Sequence, residues 1–270
     1  MNLSILTESV IEIARSTGLY LKSMTGKLSQ DMIQSKGQMD FVTEVDKESE
    51  RRIVDGLKKI LPDAGYFAEE GTLSHRGKKY NWIVDPLDGT TNFIHGVSPF
   101  SISIALQRDS ELVSGVILDP VAGECFSACL DDTARLNGKP IHVSNRDHLG
   151  QSLIATGFPY NDFSLLDPYM DSFREFMSLT HGIRRLGSAA MDMAYVACGR
   201  YDAFWEYHLK PWDVAAGTVI IRQAGGEVSD FRGGNDFLFG ETCVASNGLI
   251  HAEFLEVLSK HFTTILGRQQ

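Results

Sequence analysis

The sequence predicts an α/β fold: a sandwich with two lobes in one domain spanning residues 1–270. Three observations carry this expectation. Short apolar runs bounded by Gly, Pro and acids read as strands, while other apolar patterns recur at helical spacing. The strands of the first half follow one another directly, so they should pair antiparallel rather than through strand-helix-strand crossovers. From about residue 151 helices and strands alternate, giving lobes of about 1–150 and 151–270. No internal repeat, low-complexity tract or Pro/Gly linker divides the chain.

Leu3, Leu6, Val10, Ile13 and Ala14 recur at helical spacing and open the chain on an amphipathic helix. Residues 26–40 are polar and Gly-punctuated and read as a loop. Thr43 can cap a second helix, with Asp46 at the capping-box position and Val45, Ile53, Leu57, Ile60 and Leu61 as its apolar stripe. Tyr66-Phe67-Ala68 is a short strand that delivers Glu69 and Glu70 at its end; residues 71–79 are a polar surface turn. Trp82 to Val84 is a buried strand stopped by Asp85. Phe100 to Leu106, Leu112 to Leu118 and Gly123 to Leu130 are further strands, and Asn137-Gly138 is a hairpin turn.

The second half begins with a strand at Ser152 to Thr156 and a helix at residues 164–179. A short strand at Ile183 to Leu186 leads into a helix from Ser188 to Cys198. Tyr201 to Trp205 is a strand with Glu206 at its close. Trp212 to Ala224 is a helix ended by Gly225-Gly226. Cys243 to Ala245 is the last strand, and Ile250, Phe254, Val257, Leu258 and Ile265 mark a closing helix.

A hydrophobic content of 43% supports a substantial core, and the net charge of -10 argues against broad nucleic-acid binding, which needs a basic face. The four cysteines form no C-x-x-C pair and read as idle thiols in a reducing cytosol. The start lacks a signal-peptide pattern, and no apolar run is long enough for a membrane helix. A cytoplasmic protein is expected.

The chemistry centres on Asp85-Pro86-Leu87-Asp88-Gly89-Thr90-Thr91-Asn92. Pro86 biases Asp85 towards an extended backbone, and Asp88 follows one tight turn later. Gly89 permits close backbone approach to a ligand, and Thr90 and Thr91 offer hydroxyls and N–H groups suited to an anion. Acids beside an anion repel: a like-charge pair at ~4 Å costs about 4 kcal/mol at an effective dielectric near ~20. Divalent cations resolve the conflict, so metal-assisted chemistry on a phosphate is expected. Glu69 and Asp213 extend the acid set. Read alone, Glu69 could be an ordinary surface acid and Asp213 a helix N-cap.

Taken together, these motifs resemble the inositol monophosphatase family of Mg²⁺-dependent, lithium-sensitive phosphatases. The likeness rests on the residue 85–92 motif, on Phe67-Ala68-Glu69-Glu70-Gly71 upstream, and on Trp212-Asp213-Val214-Ala215-Ala216-Gly217 with Ala224-Gly225-Gly226 downstream. The stretch from Arg184 to Ala190 resembles the bacterial branch. The resemblance implies a layered α-β-α-β-α sandwich with mixed, largely antiparallel sheets. It implies that Glu69, Asp85 and the Leu87 carbonyl hold a first Mg²⁺ and that Asp85, Asp88 and Asp213 share a second. Glu69 would also hold the attacking water, directly or through a third ion. Thr90, supported by Asp46, would orient or deprotonate that water. The N–H groups of Gly89 and Thr90 would hold phosphate oxygens, and hydrolysis would proceed by in-line attack without a covalent intermediate.

At the position of Glu206 the family uses an acid to bind hydroxyls of the substrate's ring; the plainer reading is a solvated strand-end acid. Asp88, the Ala189 amide and Arg184 could also meet substrate, although Arg184 could equally serve a subunit interface. The implied substrate is inositol monophosphate or a similar polyol phosphate. Within the family, a 3′-phosphonucleotide, fructose-bisphosphate or histidinol-phosphate would be the alternative. A role as a transcription-complex partner is a further expectation, as is a homodimer. Two other signals fail. Cys129 and Arg135 have C-x5-R spacing, but Asp131 and Asp132 between them would repel phosphate. An aspartyl-nucleophile phosphatase needs an acid where Pro86 stands. His95 reads as a structural histidine.

Overall fold

Alternation of side chains along the strands sorts the apolar residues into separate cores. The structure is a computed structural model that describes residues 1–27, 33–37, 40–71, 75–160 and 162–262. The chain opens with α1 (Leu3–Met24), a hairpin of β1 (Ile33–Gly37) and β2 (Asp40–Thr43), and α2 (Glu44–Ile60). A seven-stranded sheet follows in chain order: β3 (Gly65–Ala68), β4 (Tyr80–Asp88), β5 (Ser101–Arg108), β6 (Glu111–Asp119), β7 (Glu124–Cys129), β8 (Arg135–Leu136) and β9 (Lys139–Pro140). Strands β3 and β4 are parallel, and every later pair is antiparallel. A short helix, α3 (Thr90–Ile94), interrupts the connection between β4 and β5.

The second lobe runs β10 (Leu153–Thr156), α4 (Leu166–Leu179), β11 (Gly182–Arg184), α5 (Ala189–Ala197), β12 (Ala203–Tyr207), α6 (Pro211–Gln223), β13 (Glu227–Ser229), β14 (Thr242–Ser246) and α7 (His251–His261). Its five strands are ordered β11-β10-β12-β14-β13. The first three are parallel and the last two pairings are antiparallel.

The period of two along a strand assigns each side chain to a layer. On β4, Trp82 and Val84 join the core under α1 and α2, whereas Ile83 joins the core between the sheets. On β12, Phe204 faces that same central core, while Ala203, Trp205 and Tyr207 face α4 and α7. Helices α5 and α6 lie between the two sheets. The result is the expected five-layer α-β-α-β-α sandwich. Both faces of each sheet are covered, which is why β5 reads as buried throughout except at Arg108.

Small residues set the depth of the central layer. A Cβ on Gly115 of β6 would lie 2.5 Å from the Ala216 carbonyl oxygen, and one on Gly217 would lie 2.7 Å from the Met193 side chain. The run Ala215-Ala216-Gly217 is therefore the contact surface of α6 on β6 and on α5, and it carries Asp213 at the helix start.

Four expectations require correction. The stretch read as a loop over 26–40 contains β1 and the first residue of β2, its antiparallel partner; residues 28–32 and 38–39 lie outside the described residues. Strand β4 does not stop at Asp85 but continues to Asp88 through an irregularity in its pairing with β5. Pro86 breaks the ladder without ending the strand. Strand β13 was not expected, because only three residues separate Gly226 from Asp230. The extended run read at Ile183 to Leu186 lies earlier, at Gly182 to Arg184. Ile265 lies outside the described residues, as do residues 72–74 of the expected surface turn.

Candidate active site

The break in β4 creates the site. Between Asp85 and Asp88 the register with β5 shifts, so the carbonyls of Pro86 and Leu87 leave the ladder. The Ser49 hydroxyl of α2 donates to the Pro86 carbonyl at 3.0 Å, and the Thr90 hydroxyl lies 3.1 Å from that of Leu87. Gly89 then turns the chain at φ +90°, and a Cβ there would press on the Gly187 carbonyl oxygen at 3.0 Å. The chain enters α3 directly. Asn92 fixes the far end: its amide donates to the carbonyls of Pro99 at 2.7 Å and Leu186 at 2.8 Å. The motif is thereby tied to the second lobe.

A cavity of about 340 Å³ opens here, lined by Glu69, Asp85, Leu87, Asp88, Gly89, Thr90 and Thr91 from the first lobe. Ser188, Ala189, Asp192, Glu206 and Asp213 are among the residues that line it from the second. The four acids expected from the sequence thus meet in one place. Glu69 follows β3, and its N–H donates to the Val84 carbonyl of β4, which puts it beside Asp85.

Each of the three aspartates uses one oxygen on a protein donor. Asp85 Oδ1 accepts the Leu87 N–H at 2.9 Å. Asp88 Oδ2 accepts the Ser188 hydroxyl at 2.5 Å and the Ala190 N–H at 2.8 Å. Asp213 Oδ2 accepts the Lys210 N–H at 2.6 Å, so Asp213 sits at the third helical position and reaches back to the cap. It is not the N-cap itself. Asp88 is also reached by the Ser101 hydroxyl and the Ala189 N–H, whereas the other oxygens of Asp85 and Asp213 make no hydrogen bond among the described residues.

Electrostatics make this arrangement costly without a ligand. Burial pushes Asp85 well above the usual carboxylate range, and the charges of Glu69, Asp88 and Asp213 push it further. Burial likewise raises Asp88 to about 6, against the pull of its hydrogen bonds from Ser188 and Ala190. Asp213 is pushed up to about 7 by burial and then by Asp88. Among the described residues no three or more His, Cys, Asp or Glu side chains, as they stand, form a group that could hold a metal ion. The acids instead line the cavity, where Asp85 and Asp213 each keep an oxygen that makes no hydrogen bond among the described residues. Such a donor set fits a hard divalent cation that keeps water and takes further oxygens from a substrate.

Thr90 and Asp46 form a second unit. The Thr90 hydroxyl lies 3.0 Å from Asp46 Oδ1, while Asp46 Oδ2 accepts the Thr43 N–H at 2.8 Å and the Thr43 hydroxyl. Thr90 has one hydroxyl hydrogen and two acceptors in reach. The carboxylate is the stronger acceptor, which leaves the Leu87 carbonyl for a ligand. Asp46 is buried, and that burial raises its pKa. The capping box expected at the start of α2 is present, so Asp46 caps the helix and reaches Thr90 at once.

Glu206 is buried at 8% exposure within β12, not a solvated strand-end acid. Its pKa is raised well above the ordinary value by burial and by Asp213 and Asp88. Arg184 does not line the cavity; it is exposed and donates to the neighbouring Ile183 carbonyl at 3.0 Å. Arg185 lines it instead, held by the Tyr160 hydroxyl at 2.6 Å and lying over the Phe158 and Tyr160 rings. At the end of β11, where Arg184 closes the strand and Arg185 follows it, nothing in the sequence tells the two adjacent arginines apart. Asp192 also escaped the sequence reading, although a lone acid in the apolar run Ala189 to Cys198 is a signal.

Residues 2–263 match the model of the inositol monophosphatase family. The chain is 43% identical over 263 residues to a protein of Pseudomonas aeruginosa named Nus factor SuhB, covering 96% of this chain and 97% of that one. It is 38% identical over 258 residues to an inositol-1-monophosphatase of Mesorhizobium japonicum, covering 95% and 97%. The crystal structure of the extragenic suppressor protein suhB from Bartonella henselae superposes with a TM-score of 0.91 at 37% identity, covering 95% of this chain and 99% of that one. The chain belongs to the inositol monophosphatase family.

Proposed function

We propose that this protein hydrolyses the phosphate monoester of a polyol, with myo-inositol monophosphate as the leading substrate, using two or three Mg²⁺ ions. The observation that carries the proposal is the meeting of Glu69, Asp85, Asp88 and Asp213, from distant segments, in one cavity whose acids repel one another. When bound, the ions would neutralise the phosphate and the leaving alkoxide and acidify the attacking water. Glu69, Asp85, Asp213, Asp88 and the Leu87 carbonyl are the groups that would hold them.

The remaining steps belong to the chain. Gly89 and Thr90 present N–H groups to the phosphate at the start of α3. Thr90 gives its hydroxyl hydrogen to Asp46, so its lone pairs are left to accept a hydrogen bond from water in the cavity. That orients the water for in-line attack, and Asp46 supports the proton's departure. Glu69 holds the water from the other side. The Ala189 backbone, Glu206 and Asp88 line the part of the cavity left for the alcohol, and Arg185 takes the place first expected for Arg184. The two lobes act as one domain, because α5 and α6 belong to the core of both sheets.

A phosphate-release panel with Mg²⁺ tests the proposal. It would compare inositol monophosphates, a 3′-phosphonucleotide, fructose 1,6-bisphosphate and histidinol phosphate. Release should be fastest from the inositol esters; faster release from another class would reassign the substrate.

A second reading is a role in a transcription complex, favoured by the name Nus factor carried by the Pseudomonas relative. Such a role would be as a protein partner, since the net charge of -10 disfavours direct nucleic-acid binding. The roles are compatible. Asp88→Asn separates them, abolishing hydrolysis while sparing a partner surface. Homodimer formation, lithium sensitivity and a cytoplasmic location accompany the family reading; among the described residues no helix is long and apolar enough to cross a membrane.

A further inference from the structure

We propose that Asp192 is a second hydroxyl-accepting carboxylate of the substrate cavity, paired with Glu206, and that it sets selectivity for polyol phosphates over simple phosphate esters. The inference rests on the phosphatase reading above and adds a residue to it.

Asp192 lies in the first turn of α5 and is 1% exposed, yet it lines the cavity. Its Oδ1 is buried without a hydrogen-bond partner, and among the described residues its side chain accepts no hydrogen bond. A buried carboxylate normally collects donors, because unsatisfied burial of charge is among the costliest arrangements in a fold. Nor is Asp192 serving its own helix. The Ala190 N–H goes to Asp88, the Met191 N–H to the Ser188 hydroxyl, and the Asp192 N–H to the Ser188 carbonyl. The helix terminus is already capped, so the acid faces a space meant for something else.

The surroundings define that ligand's chemistry. Glu206 and Asp88 act on Asp192 as like charges, and Arg185 as the opposing one. The same guanidinium faces Glu206. Glu206 itself is pressed against Gly157, where a Cβ would lie 2.1 Å from the carboxylate. Two carboxylates would repel the phosphate end of a substrate. Backed by a guanidinium, they have part of their charge balanced already. What they lack is hydrogen-bond donors, which an uncharged ring bearing several hydroxyls supplies. A site built to accept from hydroxyls also discriminates against esters without them, because its acceptors would then stay unpaired.

The test compares kcat/KM for myo-inositol 1-phosphate and for p-nitrophenyl phosphate, which carries no hydroxyl, with Mg²⁺ present. Wild type, Asp192→Asn and Asp192→Ala are measured. The selectivity ratio should fall about 10- to 100-fold in Asp192→Ala, the range for losing hydrogen bonds to a charged group. The fall should appear in KM rather than kcat. Asp192→Asn keeps the shape and one acceptor, and should fall in between; it carries the test if the alanine variant does not fold. An unchanged ratio in the asparagine variant and any folded alanine variant overturns the assignment, as does a loss confined to kcat. If the wild-type protein hydrolyses neither ester, the phosphatase reading itself has failed. Melting shifts with inositol 1-phosphate and Ca²⁺ then decide: a wild-type shift that the variants lose supports the Asp192 site, and a shift they retain, or none in wild type, overturns it.

Discussion

Ser188 donates its hydroxyl to Asp88 Oδ2 at 2.5 Å, joining the residue that ends β4 in the first lobe to the one that caps α5 in the second. The same serine caps the Met191 N–H, and the neighbouring Ala190 N–H also reaches Asp88. Opening the cavity between the lobes would break both bonds to Asp88 while leaving the cap on Met191 in place. With Asp88 as a proposed metal ligand, metal affinity and lobe packing should be linked through one carboxylate.

Replacing Ser188 by Ala removes both a cap and a charge-assisted bond. Their individual sizes suggest a loss of about 1–3 kcal/mol in urea unfolding of the metal-free protein. The Mg²⁺ concentration for half-maximal activity should rise, because Asp88 loses its shortest hydrogen bond and is left to the backbone N–H groups of Ala189 and Ala190 and the Ser101 hydroxyl. A variant that unfolds at the wild-type urea midpoint would show that this bond has no structural weight.

Thr90 and Asp46 should behave as one unit. Thr90→Val removes the hydroxyl, and Asp46→Asn replaces its charged acceptor. Each should lower kcat by about 10²- to 10⁴-fold if the pair serves proton transfer. The double variant should lose no more than the worse single one. Thr90→Ser, which keeps the hydroxyl, should retain most activity. Independent, multiplying losses would mean that the two side chains do not act together.

The pH dependence of stability follows from the raised carboxylates. Asp88 and Asp213 have folded values of about 6 and about 7, above the ordinary aspartate value of 3.8, and Asp85 is raised as well. Folding thus favours their protonated forms. Their contribution is fully present below the ordinary aspartate pKa and is lost as pH rises through the folded values. The lowered acids Glu48, Glu124 and Glu175 have the opposite sign but titrate below pH 5, and the lowered His251, also of opposite sign, is one group against three aspartates. Metal-free protein should therefore melt at progressively lower temperature from pH 5 to pH 8. The increment in melting temperature from saturating Mg²⁺ should grow over the same range. A constant increment measured by calorimetry would contradict the assignment of these acids to the metal site.

Gly115→Ala tests the packing that places Asp213. The added Cβ would meet the Ala216 carbonyl oxygen at 2.5 Å, so α6 must move away from β6. Overpacking of this kind costs about 1–3 kcal/mol, and the displaced Asp213 should weaken Mg²⁺ activation although no ligand is changed. Wild-type stability together with wild-type Mg²⁺ response would refute the close contact.

Much of this was legible in the sequence because the signals were local. Thr43 and Asp46 announced the capping box of α2, and Asn137-Gly138 announced the β8–β9 hairpin. The acids of the 85–92 motif stood out because charge at the end of an apolar strand is unfavourable without a ligand. The β1–β2 hairpin was hidden, since its polar residues carry no alternation strong enough to mark strands. The run of β4 past Pro86 depends on a bulge, which pairing with β5 creates. Arg185 and Asp192 could be placed only by tertiary structure. One lies beyond the end of a strand where two arginines compete, and the other sits in a helix whose other first-turn residues are small or apolar. Burial of Glu206 depends on Gly157, 49 residues earlier and adjacent only after the second sheet forms.

The most direct test is hydrolysis of myo-inositol 1-phosphate in ¹⁸O-labelled water, followed against Mg²⁺ and in the presence of a chelator. Release should depend on Mg²⁺, carry the label in phosphate, and be abolished by the chelator and by Asp85→Asn. Release that survives the chelator, label in the alcohol, or no release from any phosphate monoester would contradict the proposed hydrolysis.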